Sequence, residues 1–502
     1  MMDYFLSIDA GTSVIKVVIF DQNFKIKFKQ SSQNQIITNN LGKSEIDMRL
    51  FWSITSKLIK KTLKISKISN KNIISVGITG NMVGVWPINS RGTPVRNAIL
   101  WNDTRSKSIF DNLEKSNKNI YQDIFKLSGS LVQFGCTLPV IKWLDINEKS
   151  SIKKTQYFLT CKDWLRFNLT NNINNDYTER AVGPGDIYNG ELSEKIFKLL
   201  KLNKKLFKKF PEVKNSDEIA GFITKSASSK TGIKDGTPVI IGAGDVPATA
   251  IGVGAVSKGM TSTIIGTTCH NYLVCNRPMF KPKNAGLLFY TPNKQWLRTM
   301  INVAGTTNFD WVIENFYKDK LLKKNKIEVI QEFEKKISFK GIEENELIFL
   351  PYMNYGGTIS PFFNLNTKAQ IFGLLPHHTR KDILLSAYQG LAFSIRDCYE
   401  PLGVKLKTLH LSGGGASSLI LPQIISDILN VKVSIPEGSE FGAKGIAYLS
   451  AIALGKYKTY KDIVVKNHKI KKSFLPNQSL KSYYYQKYQK YLKLRKSLNE
   501  VW

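Results

Sequence analysis

Cysteine is scarce in this sequence. Its 502 residues hold five, Cys136, Cys161, Cys269, Cys275 and Cys398, with no CxxC spacing among them. An odd, scattered set builds neither a disulfide framework nor a zinc site, and it fits a reducing compartment. Histidine is equally sparse at five, and only His377-His378 are grouped, a pair that reads as loop structure. Long apolar runs are missing as well. The uncharged stretches 259–276 and 408–426 are broken by Gly, Thr, Ser, His or Pro, which disqualifies them as membrane spans. Asp3 and Asp9 fall within the first nine residues, so no secretory leader is expected there, and the sequence reads as a soluble, cytoplasmic protein without a membrane partner.

Acidic residues are the other shortage: 39 Asp+Glu face 72 Lys+Arg, a net charge of +33. Such a surplus raises the question of polyanionic partners. The basic residues are mostly Lys, scattered with Asn and Ile over helical faces such as Lys57–Lys64, Lys198–Lys205 and Lys318–Lys326. No basic stripe with interleaved aromatics, zinc-finger spacing or RNA-recognition motif accompanies them, so the charge reads as compositional bias and no specific nucleic-acid partner is expected. In the tyrosine-rich C-terminal run, Tyr484, Tyr488, Tyr491 and Leu492 stand at i, i+4, i+7 and i+8. That spacing predicts a last helix packing its aromatic face on the body of the protein.

The length, with 42% hydrophobic and 22% charged residues, describes a globular chain of two or three domains. The opening reads as strand, turn, strand, turn, strand: Tyr4–Ile8, Asp9–Ser13, Val14–Phe20, Asp21–Asn23 and Phe24–Phe28. A helix from about Met48 leads to a buried strand over Ile73–Thr79. A second cluster begins at Thr237–Asp245 and passes through a small-residue helix, Pro247–Val256, to Thr261–Thr268 and a return strand, His270–Cys275. This unit repeats the opening in outline, with Gly-Thr-[Ser/Thr] turns at 11–13 and 266–268. Later come a strand at Leu406–Leu411, a loop at Ser412–Ser418, a helix at Leu419–Leu429, a strand at Val431–Ile435 and a helix at Gly442–Leu454. Strands alternating with helices in both halves predict an α/β protein of two related domains.

Three elements carry the polar chemistry. Asp9 precedes the glycine turn Gly11-Thr12-Ser13; a carboxylate there can hold a divalent metal while turn N–H groups hold phosphate, or it can simply satisfy a hairpin. Lys16 lies close by. The glycine triplet in Ser412–Ser418, between strand and helix, permits close backbone approach of a ligand or is a tight connection; it is neither a Walker A loop nor a dinucleotide fingerprint. Asp245, ending Gly242-Ala-Gly-Asp, can serve as a general base or cap the helix that follows.

Taken in order, Asp-x-Gly-Thr-Ser-x-x-Lys at 9–16, Trp101-Asn-Asp-Thr-Arg105, Gly-Ala-Gly-Asp245, Gly266-Thr-Thr268, Ala304–Trp311, Phe372–Arg380 and Ser412–Ser418 span nearly the whole chain. In order and spacing they resemble the FGGY family of carbohydrate kinases. The resemblance implies two actin-like ATPase domains with ribonuclease-H-like cores: 1–246 on the sugar side and 247–502 on the nucleotide side, closing on a cleft where Mg2+ and ATP meet a small sugar or polyol. It implies Asp9 as the magnesium ligand, and Gly11, Thr12, Ser13, Gly266, Thr267, Thr268, Gly305, Asp310, Gly414 and Ser418 around ATP. Asp245 would be the catalytic base, with Asn81, Met82, Trp101, Asn102 and Asp103 shaping the sugar end.

Some positions depart from the family pattern. Asn81 and Val83 stand where xylulokinases carry Gln and His, which puts plain D-xylulose in doubt. Val140 and Gln389 replace a usual Lys and Glu at positions read as structural. The sequence thus points to an ATP-dependent kinase of a pentulose, with a glycerol- or erythritol-type polyol kinase as the alternative. More distant readings are a non-kinase actin-fold ATPase and a basic nucleic-acid-binding protein, and a homodimer is kept open.

Overall fold

In this computed structural model the described residues are 2–337, 342, 345–354 and 356–502. Two seven-stranded sheets organise them. The first holds β1 (Tyr4–Ala10), β2 (Val14–Phe20), β3 (Ile26–Gln33), β4 (Ile73–Gly80), β5 (Ile219–Phe222), β6 (Pro238–Ile240) and β7 (Ala243–Gly244). Their order is β5-β6-β4-β1-β2-β3, with β7 paired to β4. The second holds β8 (Thr261–Ile265), β9 (Cys269–Cys275), β10 (Leu287–Tyr290), β11 (Trp296–Asn302), β12 (Thr408–Ser412), β13 (Lys432–Pro436) and β14 (Ile470–Phe474), in the order β10-β11-β9-β8-β12-β13-β14.

The sheets share one plan. Each starts with an antiparallel hairpin, β1–β2 or β8–β9, whose first strand then pairs in parallel with a later strand, β4 or β12. Each then adds a further parallel strand and an antiparallel edge. The repeat glimpsed in two Gly-Thr turns therefore extends through the topology, giving the α/β architecture of two actin-like, ribonuclease-H-like halves.

Period-two alternation decides which helix each strand face meets. Leu6, Ile8, Ile15, Val17 and Ile19 pack with Phe51, Trp52 and Ile59 of helix α1 (Met48–Ser66). Phe5, Val18 and Phe20 face the other way, towards the late helix Phe441–Ala453. Covered on both sides, β1 and β2 read as nearly continuous apolar runs, whereas β3 at the edge alternates in exposure. The polar Lys-Gln-Ser-Ser-Gln tail of β3 hid its length, so the strand expected at 24–28 runs over 26–33.

Helix α2 (Asp245–Gly252) leads out of the first sheet, and the helix Phe441–Ala453 returns from the second half to pack on the first. The two cross at close range. A Cβ on Gly252 would lie 1.9 Å from Phe441 O, and one on Gly445 would lie 1.9 Å from Ala248 O, so glycine is what lets these backbones meet. The expected 246/247 division falls inside α2. At the C-terminus a helix over Lys481–Leu498 buries Tyr484, Tyr488 and Tyr491, as the tyrosine spacing predicted, and packs them against Phe393. Among the described residues, no helix is long and apolar enough to cross a membrane.

Candidate active site

The parallel strands set the polar centre. Asp9 and Ala10 at the end of β1 pair with Thr79 and Gly80 of β4, and Gly244 of β7 pairs with Gly80 from the other side. Asp9 and Asp245 thus emerge at neighbouring strand ends, where open α/β sheets present their ligand sites. Asp245 opens α2, but its carboxylate accepts the adjacent Val246 N–H at 2.8 Å and not an N–H of the following turn, a poor use of it as a cap. Burial and then the charge of Asp9 push the Asp245 carboxyl up to about 7. Burial likewise lifts Asp9 to about 6, opposed by Lys16 and reinforced by Glu440. Two carboxyls so placed resist shared ionisation until a cation or a proton joins them.

Lys16 is opposite Asp9 in the β1–β2 register and shares its face, the one turned towards the helix that starts at Phe441. Glu440, just before that helix, accepts from Lys16 at 2.8 Å and Lys29 at 3.1 Å, and Gly442 borders Asp9 Oδ2. A residue more than four hundred positions away therefore completes the surroundings of the first turn. In the turn itself, Asn34 Nδ2 donates to Gly11 O and Thr12 O at 2.8 and 2.9 Å, and Asn34 N donates to Ser13 O at 2.8 Å, tying its carbonyls back into the protein. Trp101 Nε1 donates to Thr12 Oγ1 at 2.9 Å.

The second turn is built against α3 (Thr307–Phe316). Gly305 N donates to Thr267 O at 2.7 Å and Thr306 N to Gly266 O at 2.9 Å; a Cβ on Gly305 would lie 2.4 Å from Gly266 O. Thr268 Oγ1 meets His270 Nε2 at 3.1 Å. Asp310, in the first turn of α3, pairs with Lys326 at 3.2 Å. Gly413, with φ +85°, wraps Ile265 at the end of β8 and places Gly414 beside that strand. Ser418 acts from behind: its Oγ accepts Leu421 N at 2.9 Å and donates to Glu334 Oε1, while Glu334 Oε2 accepts Leu419 N at 2.9 Å. Glu334 is buried and also takes the Tyr388 hydroxyl at 2.8 Å.

At the expected sugar end, Asn81 donates to Ala10 O through N at 3.0 Å and Nδ2 at 3.1 Å. Met82 packs against Gly244, where a Cβ would come within 2.5 Å of Met82 Cε. Met82 and Val83 join Tyr272, Val274, Leu297 and Ile301 of the second sheet in one apolar seam. Val83 has φ +56°, a left-handed conformation that costs a branched side chain about 1–3 kcal/mol. Its N–H reaches Glu179 Oε2 at 2.8 Å, and burial holds that carboxyl well above the carboxylate range.

Trp101 and Asn102 are exposed, whereas Asp103 is 1% exposed with both oxygens occupied by Arg105 and by Ser44 N. Arg105 continues to Glu45 at 2.8 Å, and Glu45 to Arg96, so Asp103 braces the loop in a buried ion network. Gln389 is buried and accepts from Lys487 Nζ at 2.6 Å, and Val140 is buried in the apolar core. His378 Nδ1 accepts Leu375 N within the turn, and all five cysteines are buried and free.

Among groups the sequence did not nominate, Asn34, Glu179, Glu334 and Glu440 hold the framework of the site. Glu179, Glu334 and Glu440 meet partners far along the chain, and Asn34 meets the 11–13 turn from the next strand but one, so no local pattern marks them.

Two hydroxyl-bearing turns on duplicated sheets, a carboxyl pair at strand ends and a seam between the halves make a two-lobed arrangement suited to phosphoryl transfer. Residues 4–252 match the N-terminal domain and residues 261–454 the C-terminal domain of the FGGY family of carbohydrate kinases. The chain belongs to this family, and is an enzyme that transfers a phosphoryl group from ATP to an alcohol oxygen. It is 26% identical to a probable L-xylulose kinase of Haemophilus influenzae, with 100% of each chain covered. It is also 26% identical to a xylulose kinase of Staphylococcus epidermidis, covering 99% of this chain and 97% of that one. The fold superposes on a ligand-bound xylulose kinase of Lactobacillus acidophilus with a TM-score of 0.89 at 21% identity, covering 99% and 98% of the two chains.

Proposed function

We propose that the protein transfers the γ-phosphate of ATP to a hydroxyl of a small ketose, a pentulose of the xylulose type, in the cytoplasm. The observation that carries the chemistry is the placing of Asp9 and Asp245 at the ends of the two strands that flank β4, with Asp245 held by the adjacent Val246 N–H and so left able to accept a proton from a hydroxyl. Asp245 accepts the proton of the attacking hydroxyl. Gly11, Thr12 and Ser13 meet the phosphates from the first half, and Gly266, Thr267 and Thr268 meet them from the second. Gly305, Asp310 and Gly414 border the nucleotide, and Ser418 fixes the glycine loop through Glu334. We assign 1–246 to the sugar side and 247–502 to the nucleotide side.

Asp9 suits Mg2+. It is a hard oxygen donor beside the raised carboxyl of Asp245, and magnesium asks for only one or two carboxylates beside phosphate oxygens. Bound there, the ion would neutralise phosphate charge. Asn81, Met82, Trp101 and Asn102 line the sugar end and Asp103 supports it from beneath. The substrate class is supported by the xylulose kinases among the relatives. With Val83 buried in the seam, this turn offers the sugar less polar contact than a histidine would. ADP release measured over ketopentoses, pentitols, tetritols and glycerol tests the reading: a ketopentose should give the highest kcat/KM. A tetritol or glycerol exceeding it would replace the pentulose with a polyol.

A further inference from the structure

The 81–84 turn is held in an unusual shape. Val83 at φ +56° is followed by Gly84 at φ +69°, so two consecutive residues are left-handed and only the second is glycine. A Cβ on Gly84 would lie 2.3 Å from Ile99 O, which leaves the turn no slack on that side. A branched residue stays in this region only where its surroundings over-determine it. The determinant on the amide side is Glu179, 2% exposed, whose Oε2 accepts the Val83 N–H at 2.8 Å.

Glu179 lies on the short helix Tyr177–Val182, whose start is fixed by Asp176. Asp176 Oδ2 accepts Thr178 N at 3.0 Å, while Asp176 Oδ1 pairs with buried Lys162 at 2.7 Å. The same helix reaches the other side of the site. Thr178 Oγ1 accepts Gly244 N at 3.0 Å, one residue before Asp245. Two successive residues of one helix thus grip the backbone under Val83 and the backbone under Asp245.

We propose that Glu179 is a positioning residue for sugar binding: it clamps the 81–84 turn in its left-handed form, from the helix whose Thr178 holds the backbone before Asp245. This rests on the reading of the turn as the sugar end. Because the clamp works by holding a conformation that valine resists and glycine accepts, its loss is repairable at position 83.

The test compares Glu179→Ala, Glu179→Gln and the double variant Glu179→Ala/Val83→Gly with the wild type, using the best ketopentose and ATP. E179A should raise KM for the sugar roughly tenfold or more, with kcat and KM for ATP changed less than about threefold. E179Q keeps an oxygen for the amide and should recover most of the loss; the double variant should recover at least half of it on a logarithmic scale. Loss in kcat or in KM for ATP as large as in KM for sugar, or no recovery by Val83→Gly, would overturn the clamp. Should E179A fail to fold, soluble double variant beside insoluble E179A supports the proposal, and an insoluble double variant beside folded V83G contradicts it. A wild type with no saturable sugar dependence would sink the reading of the turn instead, and the rescue is then read in thermal unfolding.

Discussion

Trp101 Nε1 donates a hydrogen bond to Thr12 Oγ1 at 2.9 Å, joining a residue assigned to the sugar end to the turn assigned to the phosphates. On that assignment the two substrates would share a side-chain link on the first half of the molecule. Trp101→Phe keeps the aromatic face and removes the donor. Saturating sugar should lower KM for ATP in the wild type, and this coupling should shrink about three- to tenfold in the variant, on the scale of one hydrogen bond. Equal coupling in both proteins, from a two-substrate kinetic matrix, would show that the link is passive.

Gly305 touches the second turn so closely that a methyl group has no room, with 2.4 Å to Gly266 O and 2.8 Å to Thr268 O. Gly305→Ala should displace the 266–268 turn and raise KM for ATP by about tenfold or more, while KM for the sugar changes little. Titration with ADP by calorimetry, alongside sugar kinetics, separates the two. An unchanged nucleotide affinity would remove the second turn from the phosphate site.

Glu440 gathers Lys16 and Lys29 beside Asp9. Glu440→Gln keeps the shape and removes the charge that holds Lys16 against the Asp9 face. KM for ATP should rise about three- to tenfold, and added salt should mimic part of the effect in the wild type but less in the variant. Identical salt dependence in both would contradict this electrostatic role.

The raised carboxyl of Asp245 has a stability signature in the protein without ligands. Its folded value, about 7, exceeds its ordinary 3.8, so the native state holds the proton more tightly than the unfolded chain. Stability is then lost as pH rises from about 4 through about 7, and is fully regained only below the unfolded value. Asp245→Asn, unable to ionise, should melt several degrees above the wild type at about pH 8 and converge with it near about pH 4. Parallel melting curves across that range would mean that Asp245 is not raised.

Much of the fold was legible because its signals are local. The Asp9–Phe20 hairpin shows in a glycine turn between apolar runs, and the final helix in the spacing of Tyr484, Tyr488 and Tyr491. What escaped depends on distant pairing. Glu440 meets Lys16 only because the chain returns to the first sheet, and Glu179 meets Val83 across nearly a hundred residues. Asp103 shows the reverse: its motif marked it for the site, but only the fold revealed that Arg105 and Ser44 occupy its oxygens. The left-handed Val83 could not be anticipated either, since a branched residue is a poor sequence signal for positive φ.

Asp245 is the group assigned to take the proton of the sugar hydroxyl, and Asp245→Asn removes that ability while keeping the shape. ADP release with the best sugar, together with ATP binding by calorimetry, should show kcat reduced on the order of 10³-fold with nucleotide affinity within about threefold of wild type. Sugar phosphorylation at an undiminished rate in the variant would contradict the account.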